Sequence, residues 1–84
     1  MAHFALIENG LVGSVTVIAN EDCGGGEFPE SEPIGQMFIA SLGLAGTWVQ
    51  TSYHANFRNL YAGIGMAFLP DVGEYGIFAV VDDE

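Results

Sequence analysis

The sequence predicts an α+β fold, with an antiparallel sheet of four to five strands and one helix packed on a face of that sheet. Alternating apolar and polar residues toward both ends of the chain indicate strands, and a central segment with apolar residues every three or four positions indicates a helix. Clusters of glycine, asparagine and proline between these segments are typical of turns. No linker or internal repeat divides the chain, so residues 1–84 are predicted to form a single small domain.

The first two strands are predicted to form a hairpin. Ala2–Glu8 and Leu11–Ala19 are largely apolar runs, and the Asn9-Gly10 pair between them favours a type I′ turn. Three apolar side chains of the second run are expected to share one face of the strand: Leu11, Val15 and Val17.

Residues 20–31 follow as an acidic, glycine-rich segment that is predicted to be a surface loop. Its three consecutive glycines lack the lysine of a phosphate-binding loop, and its acids lack the EF-hand spacing of a calcium site. Cys23 is the one cysteine, so no internal disulfide can form. We expect Cys23 to be unreactive at a loop or edge, because the neighbouring Glu21 and Asp22 raise the pKa of a thiol.

A helix of about three turns is predicted over residues 31–44, with Ser31 as its N-cap. Gly43 or Gly46 is expected to end the helix in the left-handed conformation. Its apolar residues recur at the spacing of one helical face: Ile34, Met37, Phe38, Leu42 and Ala45. The Met-Phe pair in this set could line a ligand site, but packing in the core is the favoured interpretation.

Three further strands are predicted in the second half of the chain: Thr47–Ser52, Ala62–Leu69 and Tyr75–Val81. Gly63 and Gly65 indicate a bulge or a close backbone approach within the second of these strands. A Pro-Asp-Val-Gly turn at residues 70–73 precedes the last strand. The terminal acids, Asp82–Glu84, are expected to protect an edge of the sheet from pairing with another chain.

The charge balance excludes several classes of partner. Eleven carboxylates oppose a single basic residue, Arg58, and the formal net charge is −10. Sequence-independent binding to nucleic acid needs several lysines or arginines, so no nucleic-acid partner is expected. No membrane partner is expected either, because the chain has no polybasic segment, no apolar run of about 20 residues and no basic signal-peptide start. The negative charge favours solubility, attraction to a basic protein surface or tolerance of a saline medium.

The sequence gives little support for catalysis. A serine nucleophile needs a base within hydrogen-bond reach, and the two histidines, His3 and His54, lie outside any nucleophile motif. A structural zinc site needs about four cysteine or histidine ligands, whereas this chain has one cysteine and two histidines. We therefore predict that the protein is not an enzyme and that it uses no metal, cofactor or small-molecule substrate.

Residues 48–68 collect the rare side chains of the chain: its one tryptophan, its one arginine, two of its three tyrosines and one of its two histidines. Arg58 has two interpretations. It could fasten the loop at residues 53–61 to the sheet through its five donors, which is the favoured interpretation, or it could contact a partner or ligand. The residues predicted to organise this loop or to form an interface are Trp48, Tyr53, His54, Phe57, Arg58 and Tyr61.

Three aromatic residues in this loop, Tyr53, Phe57 and Tyr61, recur every four positions. This spacing predicts either a short helical turn with one aromatic face or an exposed anchor patch. Trp48 is expected to lie under the sheet, with Arg58 and the tyrosines closing the loop between two strands.

Several short motifs follow one another along the chain, each present once: Met-Ala-His-Phe-Ala at Met1–Ala5, the Phe38/Leu42 pair, Trp48 with Gln50–Tyr53, Asn56–Arg58, and Tyr61–Gly65. In these motifs, and most closely over residues 35–65, the chain resembles a family of small proteins of tailed bacteriophages, including phages of marine cyanobacteria and other marine bacteria. The C-terminus departs from the family pattern, because Met-Ala-Phe follows the Gly-Ile-Gly motif where relatives have Tyr-x-Tyr and a tail rich in proline and aromatics. The resemblance carries no catalytic residue onto this chain.

The resemblance implies a phage origin and a place in the virion after synthesis in the host cytoplasm. The expected function is that of a non-enzymatic virion component, either a capsid decoration (cement) protein or an accessory protein of the neck, tail or fibre. Its expected partners are other virion proteins or itself, as a homo-oligomer. The alternative is an intracellular phage accessory protein that binds a host protein through its acidic surface, and a small-ligand or metal-binding domain is a weaker third hypothesis.

Overall fold

The computed structural model describes residues 1–81 and has the predicted α+β fold, with one α-helix and a five-stranded antiparallel sheet in this part of the chain. The strands are β1 (Ala2–Glu8), β2 (Leu11–Ile18), β3 (Thr47–Thr51), β4 (Ala67–Leu69) and β5 (Ile77–Ala79). Helix α1 spans Ser31–Ser41, and a 3₁₀ helix spans Asn20–Cys23. The spatial order is β3-β1-β2-β4-β5, so β3 and β5 form the two edges. The predicted edge protection by Asp82–Glu84 lies outside the described residues.

The β1–β2 hairpin forms as predicted. Asn9 and Gly10 have positive φ angles of 55° and 81°, as both central residues of a type I′ turn require. Glu8 and Leu11 pair directly across this turn. The Asn-Gly pair therefore accounts for the geometry of the turn.

The register of β1 against β2 shifts once, at a β-bulge in which Gly13 is the extra residue. Because side chains alternate across a strand, one extra residue moves its neighbours to the opposite face. The prediction that Leu11 shares a face with Val15 is therefore wrong. Leu11 is exposed, and Val12 is buried beside Val15 instead.

Apolar clusters cover both faces of the sheet. The helix side holds buried residues from the strands, the 3₁₀ helix and α1: Ala2, Phe4, Ile18, Cys23, Ile39 and Trp48. The opposite side holds buried residues from the strands and from the segment before β4: Ala5, Val12, Val49, Ala62 and Phe78. Strand β1 sends alternate side chains to the two clusters, so it lies in the middle layer of the domain.

Helix α1 packs on the sheet with a face other than the predicted one. Its buried residues are spaced four apart: Ser31, Gly35 and Ile39. Gly35 permits the close approach, since a Cβ atom there would lie 2.3 Å from Cζ of Phe4. The prediction that Met37 lies in the core is wrong, because its side chain is 73 % exposed, and Leu42 is exposed as well. Phe38 does pack partly against the core. The packed face therefore combines two small residues, which allow close approach to the sheet, with the apolar Ile39.

The ends of α1 differ slightly from the prediction. Ser31 is the first helical residue rather than the N-cap, and its hydroxyl donates a hydrogen bond to Oε1 of Gln50 (2.8 Å). The helix ends at Ser41 rather than Leu44. Gly43 follows with a φ angle of 83°, as predicted for the glycine that ends the helix.

The last two strands are shorter than predicted. Strand β4 begins at Ala67 rather than Ala62, because the N–H of Met66 donates to the carbonyl of Gly63 (3.0 Å) and closes a turn. Strand β5 covers only the middle of the predicted strand, at Ile77–Ala79. The backbone between the strands follows turns that the apolar pattern does not show.

Cys23 belongs to the core and not to a loop surface or an edge. The 3₁₀ helix at Asn20–Cys23 turns its side chain inward, where it is buried beside Gly35. Burial raises the pKa of the Cys23 thiol, and the neighbouring Asp22 raises it further. The direction of this shift is the predicted one, but its main cause is burial rather than the adjacent acids.

Candidate functional site

Arg58 lies at the centre of the candidate site, and its side chain is 7 % exposed. The guanidinium forms a bidentate ion pair with Glu32 of α1, in which Nη1 donates to Oε2 and Nη2 donates to Oε1 (3.1 Å). Nη1 also donates to the carbonyl of Gln50 (2.7 Å), and Nε donates to the carbonyl of Tyr75 (2.8 Å). One side chain therefore joins the loop to α1, to β3 and to the segment before β5.

Two aromatic rings lie next to the guanidinium of Arg58. Its Cζ atom is 4.9 Å from the ring centroid of Phe28 and 5.4 Å from that of Phe68, which is the range of a cation–π interaction. Phe28 also stacks on Phe57, with centroids 3.9 Å apart and an interplanar angle of 3°. Tyr75 meets Phe28 edge-on at 4.9 Å. Of the predicted aromatic residues, Phe57 is the one that joins the surroundings of Arg58.

Side chains cover the outward backbone groups of the edge strand β3. The carbonyl of Trp48 accepts a hydrogen bond from Nε2 of Gln36 (2.6 Å). The N–H of Gln50 donates to Oε2 of Glu32 (2.8 Å), and the carbonyl of Gln50 accepts from Arg58. Unpaired groups at a sheet edge invite pairing with another chain, so these bonds protect the edge.

Arg58 and Asn59 also cover the opposite edge of the sheet. The N–H of Phe78 in β5 donates to the carbonyl of Arg58 (3.1 Å), and the carbonyl of Phe78 accepts from Nδ2 of Asn59 (3.3 Å). In a flat sheet β3 and β5 would be roughly 19 Å apart, which is four spacings of about 4.8 Å. Because one residue contacts both edges, the sheet must be strongly curved. Both residues have left-handed φ angles, 59° and 73°, a conformation that costs about 1–3 kcal/mol outside glycine.

Trp48 lies on the helix side of the sheet and is buried there. Its indole Nε1 donates to the carbonyl of Ala45 (3.3 Å), which fixes the connection between α1 and β3. The structure therefore places Trp48 in the packing of the helix against the sheet, whereas the other five predicted site residues lie in the loop after β3.

Tyr53, His54 and Tyr61 form a second aromatic group around His3 of β1. His3 stacks on Tyr53 with ring centroids 5.5 Å apart, and Tyr61 meets His3 edge-on at 5.7 Å. His54 meets the edge of Tyr53 at 5.2 Å. The loop has no helical turn, because left-handed residues interrupt it. The predicted single aromatic face therefore does not form, and Phe57 is separated from the two tyrosines.

Two adjoining clefts lie between the start of β1 and the loop after β3. Their volumes are about 500 Å³ and about 340 Å³. They share five lining residues: Met1, Ala2, Gln50, Asn56 and Phe57. Glu27 and Phe28 line only the larger cleft, and Tyr53 and His54 line only the smaller one. We name the two clefts together the N-terminal groove.

The outward side of α1 and of the turn after it carries exposed apolar side chains, which were not among the predicted site residues. Within the helix, Ile34, Met37 and Ala40 are spaced three residues apart on the side away from the sheet. Leu44, in the turn after the helix, is exposed and lines the same small cleft as Ala40. We name these four residues the α1 outer face. The signal that could have revealed it is the complete lack of charge from Pro33 to Gly46 in so acidic a chain.

Comparison of the chain with known proteins finds no matching family model, no matching curated protein and no matching solved structure. Within residues 1–81, no three or more His, Cys, Asp or Glu side chains are grouped so that they could hold a metal ion. In the same range, no helix has the length and apolar character needed to cross a membrane. A function must therefore be argued from the geometry of the site and its surfaces.

Proposed function

We propose that this protein is a non-enzymatic component of a bacteriophage virion and that it acts by binding other proteins. The proposed component is a capsid decoration (cement) protein or an accessory protein of the neck, tail or fibre. The resemblance of Met1–Ala5 and Gly35–Gly65 to small phage proteins supports the phage origin. The proposed partners are other virion proteins or further copies of this chain.

The α1 outer face is the observation that carries this proposal. Met37 is 73 % exposed, and Ile34 and Leu44 are 43 % and 46 % exposed. A partner that covers this uncharged strip removes apolar area from water without burying a carboxylate. Burial of Met37 alone would contribute roughly 1–2 kcal/mol to binding.

The placement of the polar groups supports binding rather than catalysis. The guanidinium of Arg58 is engaged in four hydrogen bonds, to Glu32, Gln50 and Tyr75. It therefore holds the fold together and has little freedom to act on a substrate. Exposed apolar and aromatic side chains are the groups that most often provide binding energy at protein interfaces.

The alternative function is that of an intracellular phage accessory protein that binds a host protein through an acidic surface. One observation favours it, namely that many carboxylates belong to exposed residues: Glu8, Glu21, Glu27, Glu30, Asp71 and Glu74. Such a surface attracts a basic partner. Binding of this kind weakens as salt is added, whereas binding through an apolar face does not, so salt dependence separates the two modes.

Mass spectrometry of purified virions tests the proposal against this alternative. We expect the protein to be present in gradient-purified particles of the phage that encodes it, at a constant ratio to a major structural protein. If the protein is absent from particles but abundant in the infected cell, the virion proposal is wrong and the alternative is favoured.

The variant Met37→Glu tests the binding surface. We expect it to fold normally, because the side chain lies in solvent, and to bind particles that lack the protein about tenfold more weakly or worse, because the new charge would be buried at the interface. Ile64→Glu is the matched control, since Ile64 is 76 % exposed and lies outside the α1 outer face. Co-sedimentation of the purified variants with such particles measures the effect. Equal binding by the two variants would exclude the α1 outer face.

A further inference from the structure

We propose that the N-terminal groove binds an extended, basic peptide segment of a partner protein. The inference rests on the proposed function in that the occupant belongs to a partner protein, but it concerns a surface other than the α1 outer face. The groove consists of two adjoining clefts of about 500 Å³ and about 340 Å³. An occupant that fills both clefts must be elongated, as an extended peptide is.

Gln50 provides the first observation. Its residue is 7 % exposed, yet it lines both clefts. Its Oε1 accepts a hydrogen bond from the hydroxyl of Ser31 (2.8 Å), whereas its Nε2 has no hydrogen-bond partner within residues 1–81. Every fully enclosed side-chain polar atom in this range has a partner. The unpaired Nε2 is therefore not fully enclosed and can be reached from the groove that Gln50 lines. A nearly buried amide donor at this position is suited to the carbonyl of a bound peptide.

The charge around the groove favours a basic occupant. The described residues that line it include one carboxylate, Glu27, and no arginine or lysine, and the N-terminal amino group of Met1 is the one positive group to set against the nearby acids. The single arginine, Arg58, is already paired with Glu32. Exposed acids flank Glu27 on both sides along the chain, at Glu21 and Glu30. The net charge of −10 adds a long-range attraction for a positive segment.

The walls of the groove fit the stem of a basic side chain. Phe57 lines both clefts and is held in place by its stacking on Phe28. An aromatic ring can pack against the methylene stem of lysine or arginine and attracts the cation at its face. Gly25 and Gly26 also line the larger cleft, and the space beside them is open, since a Cβ atom at either position would meet nothing within 4 Å.

A nitrogen-15 NMR titration of the whole chain tests the inference without a substitution. The probe is a short acetylated peptide of alternating arginine and serine. We expect it to shift the side-chain amide signal of Gln50. Gln36 is the internal control, because its amide already donates to the carbonyl of Trp48 and should not move. Matched peptides with glutamine or glutamate in place of arginine should bind about fivefold more weakly or worse.

Two single-charge variants test whether the groove itself provides the attraction. Glu27→Gln removes the carboxylate of the groove, and Asp71→Asn removes an exposed carboxylate that does not line it. We expect Glu27→Gln to weaken binding of the arginine peptide about two- to fivefold and Asp71→Asn to leave it unchanged. Equal weakening by both variants would show attraction to overall charge and would overturn the inference.

The remaining outcomes are also decisive. An unmoved Gln50 signal with the arginine peptide overturns the inference, and so does an equal response to the glutamate peptide. A shift of the Gln50 signal with protein concentration alone would assign the groove to a second copy of the chain, which also contradicts a basic peptide. None of these results depends on Met37→Glu or on the presence of the protein in particles, so the groove and the proposed function can fail separately.

Discussion

Helix α1 contains two regions of opposite character. In its first turn, the charged Glu32 is turned inward and pairs with the buried guanidinium of Arg58. On its outer face, Met37 and Ile34 are exposed to solvent. Ile39 of the same helix faces the core, as is usual for a surface helix, but the inward carboxylate and the exposed apolar face depart from the usual arrangement, in which charged residues face water. The difference indicates that an ion pair anchors the first turn of α1, whereas its outer face leaves apolar area in water.

The buried ion pair contributes to the fold mainly because Arg58 joins separate chain segments, and less through the Coulomb attraction between the two charges. Taking two charges out of water costs nearly as much as their attraction returns, so a buried pair is weak evidence of added stability. Arg58, however, contacts three separate chain segments through its guanidinium and the edge of β5 through its backbone carbonyl. Loss of this residue would therefore release the loop after β3 and uncover parts of both sheet edges.

Of the substitutions that test this comparison, Arg58→Met is expected to lower the free energy of unfolding most. Glu32, whose side chain is 16 % exposed, would then keep only the N–H of Gln50 as a partner, and removing one partner of a buried ion pair costs about 3–5 kcal/mol. The core of so small a domain supplies roughly the same amount of net stability. We therefore expect Arg58→Met to be largely unfolded in the absence of denaturant, as measured by urea titration followed through the fluorescence of Trp48.

The double variant Arg58→Met/Glu32→Gln separates the buried charge from the lost packing. An amide is less costly to bury than an unpaired carboxylate, so we expect the double variant to be about 1 kcal/mol or more stabler than Arg58→Met alone. An Arg58→Met variant with the urea midpoint of the native sequence would show that the contacts of Arg58 are not needed to close the loop.

The two sides of α1 can be compared directly with a pair of alanine substitutions. Ile39 is fully buried, so Ile39→Ala should cost about 2–5 kcal/mol through lost contacts and the remaining cavity. Met37→Ala should change the free energy of unfolding by less than about 0.5 kcal/mol, because the side chain lies in solvent. Urea denaturation at low protein concentration measures both. A loss at Met37 that grows with protein concentration would show that another copy covers the outer face.

The fold class and the hairpin could be predicted because their signals are local. The Asn9-Gly10 pair and the alternation of apolar residues act over a few positions. The packed face of α1 could not be predicted in this way. Helical periodicity counts the apolar side chains, whereas the contact between Gly35 and the ring of Phe4 depends on two segments far apart in the sequence. The face with Gly35 and Ile39 therefore packed on the sheet, and the face with Met37 stayed outside.

The candidate site could be predicted in composition but not in geometry. A single arginine among eleven carboxylates requires a partner, yet nothing in the sequence selects Glu32, which lies 26 positions away. The four-residue spacing of the aromatics suggested one face. Left-handed backbone at Arg58 and Asn59 breaks that spacing, so Phe57 and Tyr61 join different groups.

His3 combines features of the buried ion pair and of the exposed apolar face, because it is a polar ring held half-buried among aromatic residues. Its protonation should have the smallest effect on the stability of the fold. Burial lowers the pKa of His3 below its usual value of 6.5, and the N-terminal amino group and His54 lower it further. As the pH falls through 6.5, the unfolded chain takes up a proton at His3 and the folded protein does not. The stability of the fold therefore decreases below this pH until the lowered folded pKa is reached, and the contribution then stays constant.

Urea titrations of the native sequence and of His3→Gln, from about pH 7.5 down to about pH 5.5, measure this contribution on both sides of the usual pKa. We expect the native sequence to lose more stability than His3→Gln over this range. His54→Gln is the control, because it removes one positive neighbour but keeps His3, and it should reduce the loss only in part. An equal loss in the native sequence and in His3→Gln would show that the ring stacked on Tyr53 accepts a proton freely. The aromatic group around His3 would then accommodate a charged imidazolium without a carboxylate partner, whereas the buried guanidinium of Arg58 is paired with Glu32.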